Sequence, residues 1–216
     1  GNDARFVAQE SLKLGFHYTV ERANVEAHRL QNGLSLEQAA REVRYAFLAR
    51  VARTMGASSV ILGHTADDQA ETVLLHLIRG GGLGGLRGMA LVSVHRTTEG
   101  LDITLVRPLL EVTREEIEAY CSACGISPNQ DETNMLTDIP RNYLRLEVFP
   151  RLAQLNPRVT EAVGRLTRAV AFDLDYIDRQ VSNIWTFVAQ GIPGGLSLDR
   201  KRVVAQHPSV QRHLLR

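Results

Sequence analysis

The sequence has few of the features that would tie a protein to a membrane or to an oxidising compartment. Its 216 residues include only two cysteines and one tryptophan. No apolar run approaches the roughly 20 residues needed to span a bilayer, and the N-terminal stretch GNDARFVAQE lacks the apolar segment of a signal peptide. Because two cysteines cannot build a disulfide framework, we expect a protein of the reducing cytoplasm with no membrane partner.

Lysine is almost absent, and the basic residues are nearly all arginine. Lys13 and Lys201 are the two lysines among 25 basic residues, and the net charge is +1. A charge this close to zero creates no global basic field that would demand nucleic acid. Arginine suits forked contacts to phosphate and carboxylate, although a compositional bias of the source genome would explain the same count.

The order of apolar patterns predicts an α/β fold. The run SSVIL is typical of a buried parallel strand, and amphipathic helical patterns precede it over residues 35–56 and follow it over residues 66–80. This alternation predicts an open parallel sheet with helices on both faces. The remaining expected elements are a helix in DARFVAQESLKLG, strands in FHYTVERA, LVSVHRT and LDITLVRPL, a helix in REEIEAYCSACG, a polar loop in ISPNQDETNMLTDIP and a short helix in RNYLRLEVFPRL interrupted at Pro150.

A helical pattern of more than 30 residues, 156–191, leaves the predicted α/β unit. We therefore expect a domain boundary near residue 155, with residues 1–155 forming one domain. Residues 156–216 are expected to form a connector helix and the start of a second, helical domain. On that helix Tyr176, Trp185 and Phe187 are expected to be core or interface residues.

Carboxylates are crowded at the start of the helix that follows SSVIL. An acid there stabilises the helix N-terminus by about 0.3–1 kcal/mol, which accounts for either Asp67 or Asp68 but not both. Asp68 and Glu71 lie one turn apart on the same face and would repel each other unless a cation lay between them. We predict a binding site here, whose cation is a metal ion, a substrate ammonium or an arginine. His64, at the end of the strand, is either a hydrogen-bonding residue or a phosphate contact.

Two further patterns are candidates for anion binding. The glycine segment GGGLGGLRGM, residues 80–89, is either an anion-binding loop or a flexible lid, and it is not a P-loop because it follows a helix. Arg41 and Arg44 share a helix face, as a phosphate or carboxylate clamp or as a solvated surface.

The stretch from DETN to RNYLR, with Arg141 and Arg145, supports a structural network as well as a binding role. The single Cys-x-x-Cys motif of Cys121 and Cys124 would need partners elsewhere to hold zinc or a cluster, so we expect ordinary packing there.

Several stretches stand in an order that resembles the tRNA(Ile)-lysidine synthetases. They are GHTADDQAETVLLHLIRGGGLGGLRGM, RPLLEVTREEIEAYC, DETN and RNYLRLEVFPRLAQLNP, together with AREVRYAFL and, weakly, SVQRHLLR. The resemblance covers about residues 3 to 160. It implies an adenine nucleotide α-hydrolase-like fold of the N-type ATP pyrophosphatases for residues 1–155, and the start of a tRNA-binding domain after them.

The resemblance also implies an activity. ATP adenylates the C2 carbonyl oxygen of cytidine 34 in the CAU anticodon of tRNA(Ile), and L-lysine then attacks C2, expels AMP and gives lysidine. ATP and Mg²⁺ are the implied cofactors, and a homodimer is a further expectation. An anticodon base leaves its stack at little cost, which makes cytidine 34 accessible.

The resemblance assigns roles by position in this sequence. The implied catalytic residues are Asp68, Glu71 and Arg44, and the implied ATP-binding residues are His64, Arg41 and Arg44. Asp68 is the implied Mg²⁺ ligand. Contacts to substrate or tRNA are implied for Asp67, Arg79, Gly80, Gly81, Arg141 and Arg145. The division of roles between Asp68 and Glu71 stays open.

One family feature does not occur in this sequence, the pyrophosphate-binding loop Ser-Gly-Gly-x-Asp-Ser. Because GNDARFV corresponds to a segment beyond that loop, we expect a partial chain that does not hold ATP productively by itself. Two alternatives remain: a tRNA thiolase of the same superfamily, which needs cysteines for sulfur or a cluster, and a catalytically silent RNA-binding or scaffold module.

Overall fold

The computed structural model describes residues 2–127 and 139–215. Its helices are α1 (Asn2–Lys13), α2 (Val25–Asn32), α3 (Leu36–Thr54), α4 (Ala66–Ile78), α5 (Gly82–Leu86), α6 (Arg114–Ala123), α7 (Pro140–Tyr143), α8 (Phe149–Leu155), α9 (Val159–Val188), α10 (Arg200–Val204) and α11 (Pro208–Leu214). The strands are β1 (Val60–Ile61), β2 (Val92–Arg96), β3 (Asp102–Val106), β4 (Ala189–Ile192) and β5 (Gly195–Leu198). None of the described helices is long and apolar enough to cross a membrane.

The main sheet has the strand order β1-β3-β2. β1 and β3 are parallel, as predicted, with Val60 opposite Leu105. β2 and β3 form an antiparallel hairpin, so the described sheet is mixed. Helix α3 packs on this sheet, and its Tyr45 and Ala49 form a buried cluster with Ile103 and Leu105 of β3. The α/β architecture is therefore confirmed, and it brings the carboxyl ends of β1 and β3 together.

Two strand predictions need correction. The run SSVIL forms a strand only at Val60 and Ile61, and β1 lies at the edge of the described sheet. The side chain of Ile61 is therefore not buried, and the residue is 71% exposed. The expected strand FHYTVERA was wrong, because residues 16–23 have no regular secondary structure. Alternation produces a strand only when a neighbouring strand supplies backbone hydrogen bonds, and no described strand pairs with this segment.

The helix starts that were predicted from capping residues are confirmed. The capping boxes expected at Ser35 with Gln38 and at Thr113 with Glu116 both form and begin α3 and α6. Helix α2 was not foreseen, although Asn24 caps its start. Gly33 ends this helix in a left-handed conformation with φ 62°.

Residues 140–155 are helical, and the expected interruption at Pro150 was wrong. Pro150 lies in the first turn of α8, where a missing N–H costs nothing. The irregularity lies just before it, as one π-helical turn over Leu144–Val148. Residues 128–138, which hold most of the expected polar loop and all of DETN, lie outside the described residues.

Helix α9 has 30 residues and confirms the long helical prediction. It contacts α4, α5 and α8 as well as α10, α11 and β4. A second buried cluster, Val188, Val203 and Leu214, joins its end to α10 and α11. The boundary near residue 155 stays a prediction. Tyr176, Trp185 and Phe187 are all exposed in this structure and so are not core residues, while the interface role stays a prediction.

Candidate active site

Helix α4 places its two aspartates at two different helix N-termini. Asp68 forms a capping box with Thr65: its Oδ2 accepts the backbone N–H of Thr65 at 2.9 Å. Asp67 reaches across to α6, where its Oδ2 accepts the backbone N–H of Arg114 at 2.7 Å. Both aspartates therefore stabilise helix N-termini, and Asp67 also fixes α6 relative to α4.

Two arginines supply the cation that the spacing of Asp68 and Glu71 demands. The Nε of Arg141 donates to Glu71 Oε2 at 2.7 Å, and the Nε of Arg145 donates to Glu71 Oε1 at 2.6 Å. Both guanidiniums also contact Asp68 Oδ1, at 3.1 Å from Arg141 and 3.4 Å from Arg145. We call Asp68, Glu71, Arg141 and Arg145 the acid–arginine cluster. The structure thus includes the network that the sequence offered as one of two alternatives for the arginines.

The charges of this cluster balance in a largely buried environment. The side chain of Glu71 is 2% exposed, and those of Arg141 and Arg145 are 24% and 20% exposed. Burial disfavours the charge on Arg145, but hydrogen bonds and charge from Glu71, followed by the charge of Asp68, hold its pKa above the ordinary value. Paired and multiply hydrogen-bonded ions of this kind fix geometry, because each guanidinium fork bridges both acids.

Members of the acid–arginine cluster line two cavities. One is a cleft of about 400 Å³, the basic cleft, lined by Ser35, Glu37, Gln38, Arg41, Thr72, Leu75, His76, Arg79 and Arg141. The other is a cavity of about 270 Å³, the amphipathic cavity, lined by Asp67, Glu71, Arg114, Arg145, Phe149, Pro150, Ala153, Pro157, Val159 and Thr160. Arg141 lines the first and Arg145 the second, although both bind the same two carboxylates.

The structure brings together part of the predicted site. Arg41, Arg79 and Arg141 share the basic cleft, and Asp67, Glu71 and Arg145 share the amphipathic cavity. Neither cavity is lined by the other predicted site residues, which are Arg44, His64, Asp68, Gly80 and Gly81. Arg41 lies over the ring of Tyr45, 4.9 Å from its centroid, which orients this arginine at the rim of the cleft. The roles assigned to these residues stay predictions.

His64 lies at the carboxyl end of β1 in a positive environment. Its Nδ1 is buried and has no hydrogen-bond partner among the described residues. Burial lowers the pKa of His64 below its ordinary value, and the charges of Arg107, Arg141 and Arg41 lower it further against the opposing effect of Asp68. A neutral imidazole beside several guanidiniums leaves the positive charge of this corner available to an anion.

We expect His64 to be neutral in the folded protein at pH 6.5, the ordinary pKa of imidazole. Because the unfolded chain binds this proton at a higher pH than the folded chain does, the contribution of His64 to stability falls as the pH drops below about 6.5. NMR titration of the imidazole measures the pKa directly. In His64→Gln the loss of stability between about pH 7 and pH 5 should be smaller than in the wild type. An imidazole that titrates above 6.5 would contradict the burial argument.

Sequence reasoning missed three residues that hold this region. Gln69, His76 and Arg107 make side-chain hydrogen bonds to backbone atoms of distant segments. Gln69 lies inside DDQAE, but its partner is 20 residues away. Arg107 opens the RPLL stretch and is 4% exposed. No local pattern could have named these partners, because each contact depends on the packing of two segments.

The described residues contain no group of three or more His, Cys, Asp or Glu side chains that could hold a metal ion. Mg²⁺ does not require such a group, since it is commonly held by one or two carboxylates together with substrate phosphates and water. Asp67 and Asp68 offer carboxylates next to arginines that suit phosphate, although both oxygens of Asp68 already accept hydrogen bonds from Thr65 and the two arginines. Cys121 and Cys124 are free thiols.

Comparison with known proteins identifies the family of this fold. The family model for the PP-loop domain matches residues 1–152. The chain belongs to the PP-loop family. A U34-tRNA thiolase, NcsA from Methanococcus maripaludis with its [4Fe-4S] cluster, superposes on this PP-loop chain with a TM-score of 0.57 at 15% identity, over 79% of this chain and 57% of that one. At that identity the similarity supports the fold alone.

Two curated relatives of this PP-loop chain carry the same name. The tRNA(Ile)-lysidine synthase of Dehalococcoides mccartyi is 38% identical over 215 residues, which are 99% of this chain and 45% of that protein. The tRNA(Ile)-lysidine synthase of Thermus thermophilus is 43% identical over 178 residues, 82% of this chain and 33% of that protein. The chain therefore spans less than half the length of these relatives.

Proposed function

We propose that the protein containing this chain is a tRNA(Ile)-lysidine synthase, which uses ATP to join L-lysine to C2 of cytidine 34 in the CAU anticodon. One observation carries the proposal: members of one largely buried acid–arginine cluster line both a basic cleft and a separate amphipathic cavity. A reaction that joins an amino acid to an activated nucleotide needs two such adjoining sites. The names of the curated relatives support the same function.

The basic cleft suits the nucleotide and its phosphates. Arg41, Arg79 and Arg141 line it, and guanidiniums bind phosphate oxygens through two parallel hydrogen bonds. Fixed cations also stabilise the charge that develops on a displaced phosphate. Mg²⁺ bound to the phosphates would neutralise part of that charge, and Asp68 would serve as its carboxylate ligand if Oδ1 exchanged its arginine contacts for the ion. Arg44 contributes positive charge in the proposal, and His64 is a neutral neighbour of Arg41 and Arg141.

The amphipathic cavity suits the amino acid. A lysine side chain offers an alkyl segment with an ammonium at its end, and its backbone end carries a carboxylate. The cavity presents Phe149 and Pro150 to an alkyl chain, the carboxylate of Asp67 to an ammonium, and Arg114 with Arg145 to a carboxylate. Its volume of about 270 Å³ is sufficient for one amino acid of this size.

The proposed chemistry balances in two steps. The C2 oxygen of cytidine 34 attacks the α-phosphate of ATP and releases pyrophosphate. The amine of lysine then attacks C2, loses a proton and expels AMP with the former C2 oxygen. In this scheme Arg41, Arg79 and Arg141 bind the phosphate groups, while Asp67 faces the ammonium of lysine and Arg114 with Arg145 faces its carboxylate. A homodimer is an additional expectation.

The direct test is product formation by the full-length protein. With ATP, L-lysine and a CAU-bearing tRNA(Ile) transcript, we expect equal amounts of AMP and pyrophosphate. We also expect a cytidine heavier by one lysine minus one water in the nucleoside digest. Omission of any one substrate should abolish the modified cytidine. A sulfur-bearing base would instead support the thiolase alternative. Binding of the tRNA without any modified base would support the silent RNA-binding alternative, and either result overturns the proposal.

A further inference from the structure

The glycine segment, residues 80–89, is attached to helix α4 at both ends. It begins directly after Arg79, which lines the basic cleft. The backbone N–H of Gly81 donates to the backbone oxygen of His76 at 2.7 Å. The imidazole Nδ1 of His76 lies 3.0 Å from the backbone oxygen of Gly85. Because a carbonyl oxygen only accepts, this bond requires the proton on Nδ1. Half of this segment is also helical, as α5.

The exit of the segment is held by a clamp from Gln69. The Nε2 of Gln69 donates to the backbone oxygen of Met89 at 2.9 Å, and its Oε1 accepts the backbone N–H of Met89 at 2.7 Å. Gln69 is only 6% exposed, so these bonds are shielded from water. The side-chain amide therefore uses its donor and its acceptor on one residue, and only glutamine can supply both at this length.

The neighbouring residues leave the clamp little freedom. Gly88 has φ +61°, and a Cβ added to it would lie 2.7 Å from Gln69 Oε1. One residue beyond Met89, the backbone oxygen of Ala90 accepts a hydrogen bond from Arg107 Nη1 at 2.8 Å. The backbone N–H of Arg107 also donates to Leu91 at 2.8 Å. Residues 89–91 are thus fixed both to α4 and to the end of β3.

We propose that Gln69 is a positioning residue, which fixes the glycine segment to α4 so that the segment and the adjoining cleft residue Arg79 keep one geometry relative to the acid–arginine cluster. Gln69 lies on α4 between Asp68 and Glu71, while the segment that it holds is bonded to the cleft residue His76. The clamp therefore fixes the segment, which begins beside the cleft residue Arg79, to the helix that carries Asp68 and Glu71, and Gln69 itself lines neither cavity. This inference rests on the proposed function, since the geometry matters only when two substrates must meet.

The test uses Gln69→Glu and Gln69→Met in the full-length protein. The glutamate can still accept from Met89 N–H but cannot donate to its carbonyl, and the methionine removes both bonds without adding a charge. We expect faster hydrogen exchange in residues 80–91 with unchanged exchange in α9. We also expect a loss in kcat on the order of 100-fold, because small misplacement of reacting groups has that effect. The KM for L-lysine should change much less.

The control is Gln9→Glu, at an exposed position on α1. This variant should match the wild type in hydrogen exchange and in kcat. Wild-type exchange in residues 80–91 together with wild-type kcat would overturn the inference. Faster exchange throughout the protein would overturn it too, since the glutamine would then be merely structural. A wild-type protein that forms no lysidine would refute the proposed function. The exchange rates would still decide whether the clamp exists.

Discussion

Replacing Glu71 with glutamine is expected to lower the free energy of unfolding by about 3 kcal/mol, the lower end of the range for breaking a buried ion pair. Glu71 accepts hydrogen bonds from both Arg141 and Arg145. A neutral amide would leave two guanidiniums facing the single carboxylate of Asp68. The partial exposure of the two arginines, 24% and 20% of their side chains, keeps the cost at the lower end.

Urea unfolding of Glu71→Gln measures this change as a lower urea concentration at the midpoint, with an unchanged dependence of the free energy of unfolding on urea concentration. The control is Glu118→Gln, at an exposed position on α6, where we expect a change within about 0.5 kcal/mol. Combining Glu71→Gln with Arg145→Met should recover part of the lost free energy of unfolding, because the second substitution removes one of the two guanidiniums that face only Asp68. A shift no larger than that of the control would show that the cluster does not depend on Glu71.

Conservative replacement of the two cluster arginines is expected to affect different substrates. Arg141→Lys should raise the KM for ATP by about 10- to 100-fold and Arg145→Lys the KM for L-lysine by a similar factor. A lost bond to a charged group costs about 1.5–3 kcal/mol. Lysine keeps the charge but cannot form the fork that bridges Asp68 and Glu71. The difference follows from position, because Arg141 lines the basic cleft and Arg145 the amphipathic cavity.

Steady-state kinetics of the full-length protein with each substrate varied in turn would measure this separation. Arg151→Lys is the matched control, since Arg151 is 76% exposed and pairs only with Glu147 among the described residues. If Arg141→Lys and Arg145→Lys each raised the KM for ATP and the KM for L-lysine equally, the cluster would act as one structural unit. The proposed assignment of the two cavities to ATP and L-lysine would then be wrong.

The elements that the sequence predicted correctly depend on neighbours in the chain. The capping boxes of α3 and α6 join residues three positions apart, so their side chains meet whenever the helix forms. The pairing of Asp68 with Glu71 on one face of α4 follows from helix periodicity in the same way. The strand expected over residues 16–23 failed because its alternation had no neighbouring strand among the described residues.

The sequence by itself determined that α4 would present unpaired acids at the carboxyl end of a strand, and that a cation would have to meet them. It left open whether that cation was a metal ion, an ammonium or an arginine. Tertiary structure decided this, since Arg141 and Glu71 are 70 residues apart in the chain. The same holds for the clamp between Gln69 and Met89 and for the two cavities beside the cluster. The physical reason is that helix periodicity fixes which side chains share a face, whereas the packing of α7 and the glycine segment against α4 fixes what that face meets.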